Sequence, residues 1–465
     1  MRYANEAASR THEHAALKKL KSALHGQMIM EEDAGYDKAR KVFNGWVDRR
    51  PTVIVKAADA SDVSRVVNHA RDLDLRLAIR SGGHDIGGYS VVEGGVVLDL
   101  RELKSMEIDP RTCTAWAGTG LTAGEYTHAA AKFDLATGFG DTATVGIGGI
   151  TLGGGVGYLV RKHGMTIDHL LAAELVSADG RLLHVDADRH PDLFWAIRGG
   201  GGNFGVATRF QFKLHPVSQV YGGMLLLPAT VDTLCAFFAE AEAAPEELSI
   251  IANVMHAPPM PFIPQQQVGK PMIMALMVYA GDIETGQHAV APLRRLAVPI
   301  ADMLRPMSYP EMYQLGGPEP ANIAVRSMFL DRIDRDAAEE ILSRLETSTT
   351  PMSIAQFRVL GGAMARVPDD ATSFVHRTRK MMAGVMAMYD RPEERPMHEA
   401  WVTAFAAALD QGTPGVYVNF LGDEGAERVR EAYPGPTWDR LREVKRRYDP
   451  TNFFRMNQNI PPATA

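Results

Sequence analysis

The stretch Arg80-Ser81-Gly82-Gly83-His84-Asp85-Ile86-Gly87-Gly88-Tyr89 constrains this chain more than any other, because it sets a single imidazole inside a glycine-rich turn that leaves a strand. Glycine reaches positive φ without a Cβ clash, so the pairs Gly82-Gly83 and Gly87-Gly88 let successive backbone N–H groups point at one anion. Taken alone, the loop has two readings: a phosphate cradle with His84 beside whatever carries the phosphate, or a surface turn with a solvated histidine. Two further glycine runs bear on the choice. They are Thr144-Val145-Gly146-Ile147-Gly148-Gly149-Ile150-Thr151-Leu152-Gly153-Gly154-Gly155-Val156-Gly157 and Arg198-Gly199-Gly200-Gly201-Gly202-Asn203-Phe204-Gly205. Three such loops in the first half of one chain are hard to attribute to turns alone.

Length and charge narrow the classes. A chain of 465 residues with 46% hydrophobic content exceeds one typical core, which predicts two domains. A net charge of -7 argues against a nucleic-acid footprint, and Lys18-Lys19 and Lys445-Arg446-Arg447 read as solvated helix faces. Cys113 and Cys235 lie far apart without metal-type spacing, which fits a reducing compartment and no disulfide framework. No apolar run approaches the length of a membrane span, and the N-terminus lacks an h-region followed by a small-residue cleavage site. A cytoplasmic location, no membrane partner and no nucleic-acid partner are therefore expected.

Leu17, Leu20 and Leu24 among lysines predict a packing helix, so residues 1–45 read as an N-terminal helical extension. From Thr52 the pattern runs strand, helix, strand: Thr52 to Val55 extended, Val63, Val66, Val67 and Ala70 at helical spacing, then Arg76 to Ile79 into the histidine loop. Thr122 followed by Glu125 predicts a capping box, and Val206 to Leu214 alternates as a half-buried strand closing a lobe at residues 46–217. After Pro216 come longer apolar strands, Met224 to Leu227, Ser249 to Met255 and Met272 to Tyr279, separated by helices such as Thr230 to Ala243. Pro258, Pro259, Pro261 and Pro264 mark a loop between them. Residues 218–410 therefore read as an antiparallel sheet covered by helices, with 411–465 as a terminal segment.

Together with the tail Tyr448-Asp449-Pro450-Thr451-Asn452-Phe453-Phe454-Arg455-Met456-Asn457-Gln458-Asn459-Ile460, the glycine loops resemble the berberine-bridge-enzyme-like branch of the vanillyl-alcohol-oxidase superfamily of FAD-linked oxidases, over roughly residues 45 to 463. The resemblance implies an α+β fold with an FAD-binding domain of PCMH type and a separate substrate domain, the terminal segment returning to the flavin. It places FAD against Arg80, Ser81, Gly82, Gly83, His84 and Asp85, and against Thr142, Thr144, Val145, Gly148, Gly149, Gly153, Gly154 and Gly157. Further contacts are implied for Gly202, Asn203, Phe204, Gly205 and Val206, and for Tyr417, Asn419, Asn457 and Asn459. His84 takes the position that bonds covalently to the 8α-methyl carbon of FAD. Many relatives add a cysteine tether in a Cys-Pro-Thr-Val-Gly segment, but the matching residues here are Thr142-Ala143-Thr144-Val145-Gly146, so one bond is expected. Gly200 to Gly205 also satisfies G-x-G-x-x-G, yet no acidic residue follows between Val206 and Thr230 and a strand pattern comes next, which excludes a Rossmann reading.

Val145 falls where the family sets a side chain over the flavin, and a residue of that size resembles oxidases that admit dioxygen; it is equally compatible with a plain core position. Tyr417-Val418-Asn419 resembles the flavin-facing Tyr-x-Asn segment, but Phe420 stands where plant relatives carry a basic tyrosine. The second family base, counted from Phe374-Val375-His376-Arg377, aligns near Val385. With both bases missing, Tyr417, Tyr389 and His376 are the nearest catalytic candidates. The departures favour an amine-type or already activated donor, since an amine carbon loses hydride without a strong base. His163, His169, His184 and His190 match no metal spacing and read as structural or surface. Met381, Met382, Met386 and Met388 read as core, although an apolar substrate wall has the same pattern. The expected activity is hydride removal from a small organic molecule, of amine or alcohol type, with electrons passed to dioxygen. A dehydrogenase with another acceptor and a flavin-binding protein without activity are the alternatives, and a homo-oligomer is compatible with the sequence.

Overall fold

The computed structural model describes residues 15–316 and 321–464. Its first layer is a four-stranded sheet in the order Gln27–Met30, Val53–Lys56, Val96–Asp99, Leu77–Arg80. The last three strands are parallel, and the helix Ala60–Asp72 makes the crossover from Val53–Lys56 to Leu77–Arg80. Asp59 caps that helix by accepting from the N–H groups of Ser61 and Asp62, and Val63, Val66, Val67 and Ala70 are fully buried against the sheet. At about 1.5–3 kcal/mol per buried aliphatic side chain, this stripe outweighs the helix's modest propensity. Residues 15–23 are helical, with Leu17 and Leu20 in the same core. The segment before residue 46 is nevertheless not wholly helical as expected: Gln27–Met30 pairs antiparallel with Val53–Lys56. Gly26 permits this approach, since a Cβ there would lie 2.0 Å from the Lys56 carbonyl oxygen.

A second, antiparallel sheet of five strands follows in the order Met106–Asp109, Thr114–Gly118, Val206–Lys213, Leu170–Val176, Leu182–Asp186. The helix Ala123–Ala131 enters through the anticipated capping box between Thr122 and Glu125. The histidine loop and the second glycine loop press together backbone to backbone. A Cβ on Gly82 would lie 2.3 Å from Gly146 N, and one on Gly146 would lie 2.2 Å from Gly82 N. Only two glycines allow that contact.

The third sheet has eight antiparallel strands. Its central order is Val220–Pro228, Pro271–Tyr279, Leu248–His256, Met352–Val359, Met381–Tyr389, Asn322–Leu330, with Ala301–Asp302 and Arg305–Met307 flanking the first of these. Alternation along the strands divides its side chains. Leu225, Leu227, Ile250, Ala252, Ala383 and Val385 pack under the helices Val231–Ala243, Ile283–Arg294, Arg335–Glu346 and Arg395–Ala408. Met224, Leu226, Ile251, Met255, Met272 and Leu276 share a core with Phe139, Tyr158 and Leu159 of the preceding domain. One face of the sheet is thus turned toward the glycine loops.

The chain then returns to the first domain. The Lys445 ammonium is fully buried and donates to Asp449 Oδ2 (2.7 Å), the Asn203 carbonyl (2.7 Å) and the Phe454 carbonyl (2.9 Å). All three of its N–H bonds have partners, which is what allows a charge at that depth. The Asn203 side chain is held by the tail as well, donating to Gln458 O and accepting from Ile460 N.

Candidate active site

His84 follows the strand Leu77–Arg80, and its ring stacks on Phe43 at 4.7 Å between centroids. Ser81 ties this loop to the next: its hydroxyl donates to Thr119 O (2.6 Å) and accepts from Gly148 N (3.1 Å). Gly83 and Gly88 have φ of +79° and +72°, which confirms the need for glycine at both positions. The Asp85 carboxylate accepts from Tyr89 N at 2.7 Å, and burial raises its pKa to about 6 against the backbone bonds that favour the charge. Arg80 behaves differently from expectation. Its buried guanidinium donates to Ala39 O (2.5 Å) and Ser90 O (3.2 Å) and faces Asp99 at 3.8 Å, so it anchors the strand and does not offer its side chain to an anion.

The second and third loops contain two kinds of glycine. A Cβ at Gly153 would meet Asn419 Oδ1 at 2.0 Å, one at Gly154 would meet Tyr417, and one at Gly157 would meet Phe139 O at 2.1 Å, so these permit packing. Gly205, with φ of +155°, is pressed on Leu175 in the same way. Gly149 and Gly202, by contrast, have no atom within 4 Å of where a side chain would begin. The protein itself does not fill those places. Thr142, beside Asp141 (3.4 Å), and Val145 are half-buried, and Thr144 is exposed. Asn203, Phe204 and Val206 differ from expectation: Asn203 is spent on the tail, while Phe204 and Val206 are buried in the core.

Unpartnered buried atoms mark the same region. Asn457 Oδ1 and Asn459 Oδ1, next to the Asn203 contact, and Thr151 Oγ1 in the second loop are buried with no hydrogen-bond partner. Leaving such an atom unsatisfied costs about 1–3 kcal/mol. Open glycine backbone beside these acceptors fits a long ligand rich in polar groups, as the implied FAD is.

Of the three catalytic candidates, the structure brings two together. The Tyr417 phenol oxygen accepts from Gly155 N (2.7 Å) and from Asn419 Nδ2 (2.8 Å), whose second N–H goes to Ile150 O (3.1 Å). Burial pushes the Tyr417 pKa up to about 12, although both bonds and the nearby Arg358 charge act in the opposite direction. His376 shares the apolar cluster through Phe374, which lies 5.7 Å from its ring and 6.1 Å from that of Tyr417. Its Nε2 is 3.2 Å from Ala432 O, and burial lowers its pKa to about 4, leaving a neutral imidazole held by the backbone. Tyr389 is elsewhere: it stacks on His398 at 4.4 Å in the helix-covered core. The cause is strand parity, since Met381, Ala383, Val385, Ala387 and Tyr389 all face the helices. Val385 for the same reason does not stand at a base position; its neighbour Gly384 lies on the face toward the flavin domain.

Four residues that the sequence reading passed over line that face. Arg358 Nη2 donates to Asp141 Oδ2 (2.8 Å) and Gln356 Oε1 (2.9 Å), and Gln356 Nε2 donates to Asn253 Oδ1 (2.9 Å). The Arg358 guanidinium lies 5.1 Å from the Phe420 ring centroid. Gln356 and Arg358, two apart in the strand Met352–Val359, were the available signal. Met386 and Met388 border the same face, whereas Met381 belongs to the helix-side core and Met382 packs with Phe329 and Tyr417. The histidines are dispersed: His163 and His169 gather on His215, His184 pairs with Asp186 (3.2 Å), and His190 meets Tyr448 (3.1 Å).

Two sheets meeting at glycine loops, with a third sheet over them, define an FAD-linked oxidoreductase of PCMH type. Family profiles agree: "FAD binding domain" matches residues 51–186, and "Berberine and berberine like" matches residues 416–461. The chain is 30% identical to (R)-6-hydroxynicotine oxidase of Paenarthrobacter nicotinovorans over 454 residues, covering 95% of this chain and 97% of that one. It is also 30% identical to berberine bridge enzyme-like 17 of Arabidopsis thaliana, over 90% of this chain and 86% of the relative. The crystal structure of 6-hydroxy-D-nicotine oxidase from Arthrobacter nicotinovorans superposes with a TM-score of 0.85 at 28% identity, covering 95% of this chain and 99% of that chain. The chain belongs to the berberine-bridge-enzyme-like family of FAD-linked oxidases. It is an FAD-dependent oxidase of small organic substrates.

Proposed function

We propose that this oxidase acts on an amine-type donor, with FAD tethered by a single covalent bond to His84. Bound FAD supplies the two-electron acceptor for a substrate C–H bond and returns the electrons to dioxygen, releasing hydrogen peroxide. In this reading residues 46–217 and 411–465 hold the cofactor and 218–410 cover its substrate side. Ser81, Gly148, Gly149 and Gly202 line the phosphate path, Asn457 and Asn459 supply acceptors, and Asn419 orients Tyr417. Thr142 has no thiol for a second tether.

The state of Tyr417 carries the choice of donor. Burial pushes its pKa up to about 12 even though two N–H bonds favour the phenolate, so at neutral pH it keeps its proton and cannot take one from an alcohol. His376 is committed to Ala432, and Phe420 and Gly384 carry no base. An amine with a free lone pair needs none of these. Similarity over nearly the whole length to an enzyme named for 6-hydroxynicotine supports the same class.

The test is anaerobic bleaching of the flavin by matched amines and alcohols. Amines should bleach it, with kcat/KM rising with pH along the donor's own ionisation. Bleaching by alcohols alone, or a kcat/KM profile set by an enzyme group near neutrality, would overturn the reading.

A further inference from the structure

Resting on that reading, we propose that Arg358 selects the substrate: its unpaired Nε–H donates to an uncharged oxygen acceptor of the donor molecule, beside the position that Gly384 leaves without a side chain. The Arg358 side chain is 5% exposed, and its Nε is buried with no hydrogen-bond partner. Of its other nitrogens, Nη2 is committed to Asp141 and Gln356, and Nη1 reaches only the Val156 carbonyl at 3.5 Å. A guanidinium has five donors in one plane, and a buried one without acceptors is costly. The Nε–H is therefore unused in the protein alone.

The position of this N–H makes it a ligand site. Arg358 pairs across the sheet with Ile251 and Met382, so the donors emerge among apolar side chains. In the adjoining row Gly384 lies between Gln356 and Ser327. A Cβ on Gly384 would meet only the flexible end of Met386, at 3.2 Å. Glycine inside a regular strand removes a side chain where something else approaches the backbone. Phe420 adjoins the same row: its carbonyl accepts from Ser327 and its ring faces the Arg358 guanidinium.

Charge decides the kind of oxygen. Asp141 already balances Arg358, whose side chain is buried. A carboxylate or phosphate would bring a second negative charge with no counterion, whereas a carbonyl or hydroxyl oxygen takes the hydrogen bond at no such cost. The site thus fits a largely apolar molecule with one neutral oxygen acceptor.

The test uses the purified FAD-loaded protein with 2-hydroxypyridine, a carbonyl acceptor as its pyridone tautomer, and pyridine as probes, followed through the flavin absorbance. Wild type should bind 2-hydroxypyridine at least tenfold more tightly than pyridine. The charge-balanced double variant Asp141→Asn, Arg358→Met should lose that preference, and Gly384→Leu, which leaves the ion pair intact, should weaken both probes at least tenfold. Equal binding of the two probes by wild type, or Gly384→Leu binding like wild type, overturns the assignment. Bleaching by amines without any such preference would refute this inference alone. Preference for 2-hydroxypyridine in a protein that no donor bleaches would keep the pocket and refute the oxidation of amines.

Discussion

Replacing Tyr417 by Phe removes one oxygen from the returning terminal segment and separates two roles for that residue. The hydroxyl accepts from Gly155 N at 2.7 Å and from Asn419 Nδ2 at 2.8 Å. Without it, the buried Gly155 N–H loses its acceptor, at about 1–3 kcal/mol, while Asn419 keeps its bond to Ile150 O. The expected loss of stability is about 2 kcal/mol, read as a lower urea midpoint at unchanged slope. Because the phenol stays protonated up to about pH 12, it is not a base at neutral pH. Flavin reduction by an amine in stopped flow should therefore fall by less than about tenfold, through loosening of Asn419. A loss beyond about a thousandfold, in a folded variant that keeps its FAD, would show that Tyr417 takes the proton and would refute the argument.

Three other outcomes follow from the geometry. His84→Ala should release its FAD into the supernatant on acid precipitation while wild type keeps a yellow pellet; a wild type that releases all its flavin contradicts the tether. Lys445→Met leaves the buried Asp449 carboxylate without its cation, so stability to urea should fall by about 3–5 kcal/mol, and a fall below about 1 kcal/mol would show that the tail is held otherwise. Burial holds His169 at about 3, well below the ordinary 6.5, so below pH 6.5 the unfolded chain takes up a proton that the folded protein refuses. Its contribution is complete above about pH 6.5 and is lost toward pH 3, at up to about 1.4 kcal/mol per pH unit. The melting temperature of His169→Gln should accordingly depend less steeply on pH between 6 and 4 than that of wild type, and an unchanged slope refutes the assignment.

Local signals carried much of the fold into the sequence. The capping box at Thr122 and Glu125, the helix built on Val63, Val66, Val67 and Ala70, and the strand from Val206 each depend on neighbours a few residues away, which periodicity reports. The glycine loops were legible for the same reason: positive φ at Gly83 and Gly88 and the open backbone at Gly149 and Gly202 are properties of the residues themselves. Which way a side chain points was decided by tertiary structure. Arg80 and Asn203 lie in the right loops, yet their side chains are claimed by Ala39, Ser90 and the returning tail, partners 10 to 257 residues away. Tyr389 and Val385 turn to the helices because a strand alternates with period two, so a one-residue difference in alignment exchanges the two faces. Asp141 and Arg358 are separated by 217 residues and meet only because the third sheet closes over the second glycine loop. A charge pair of that kind has no local spacing, and only the folded chain reveals it.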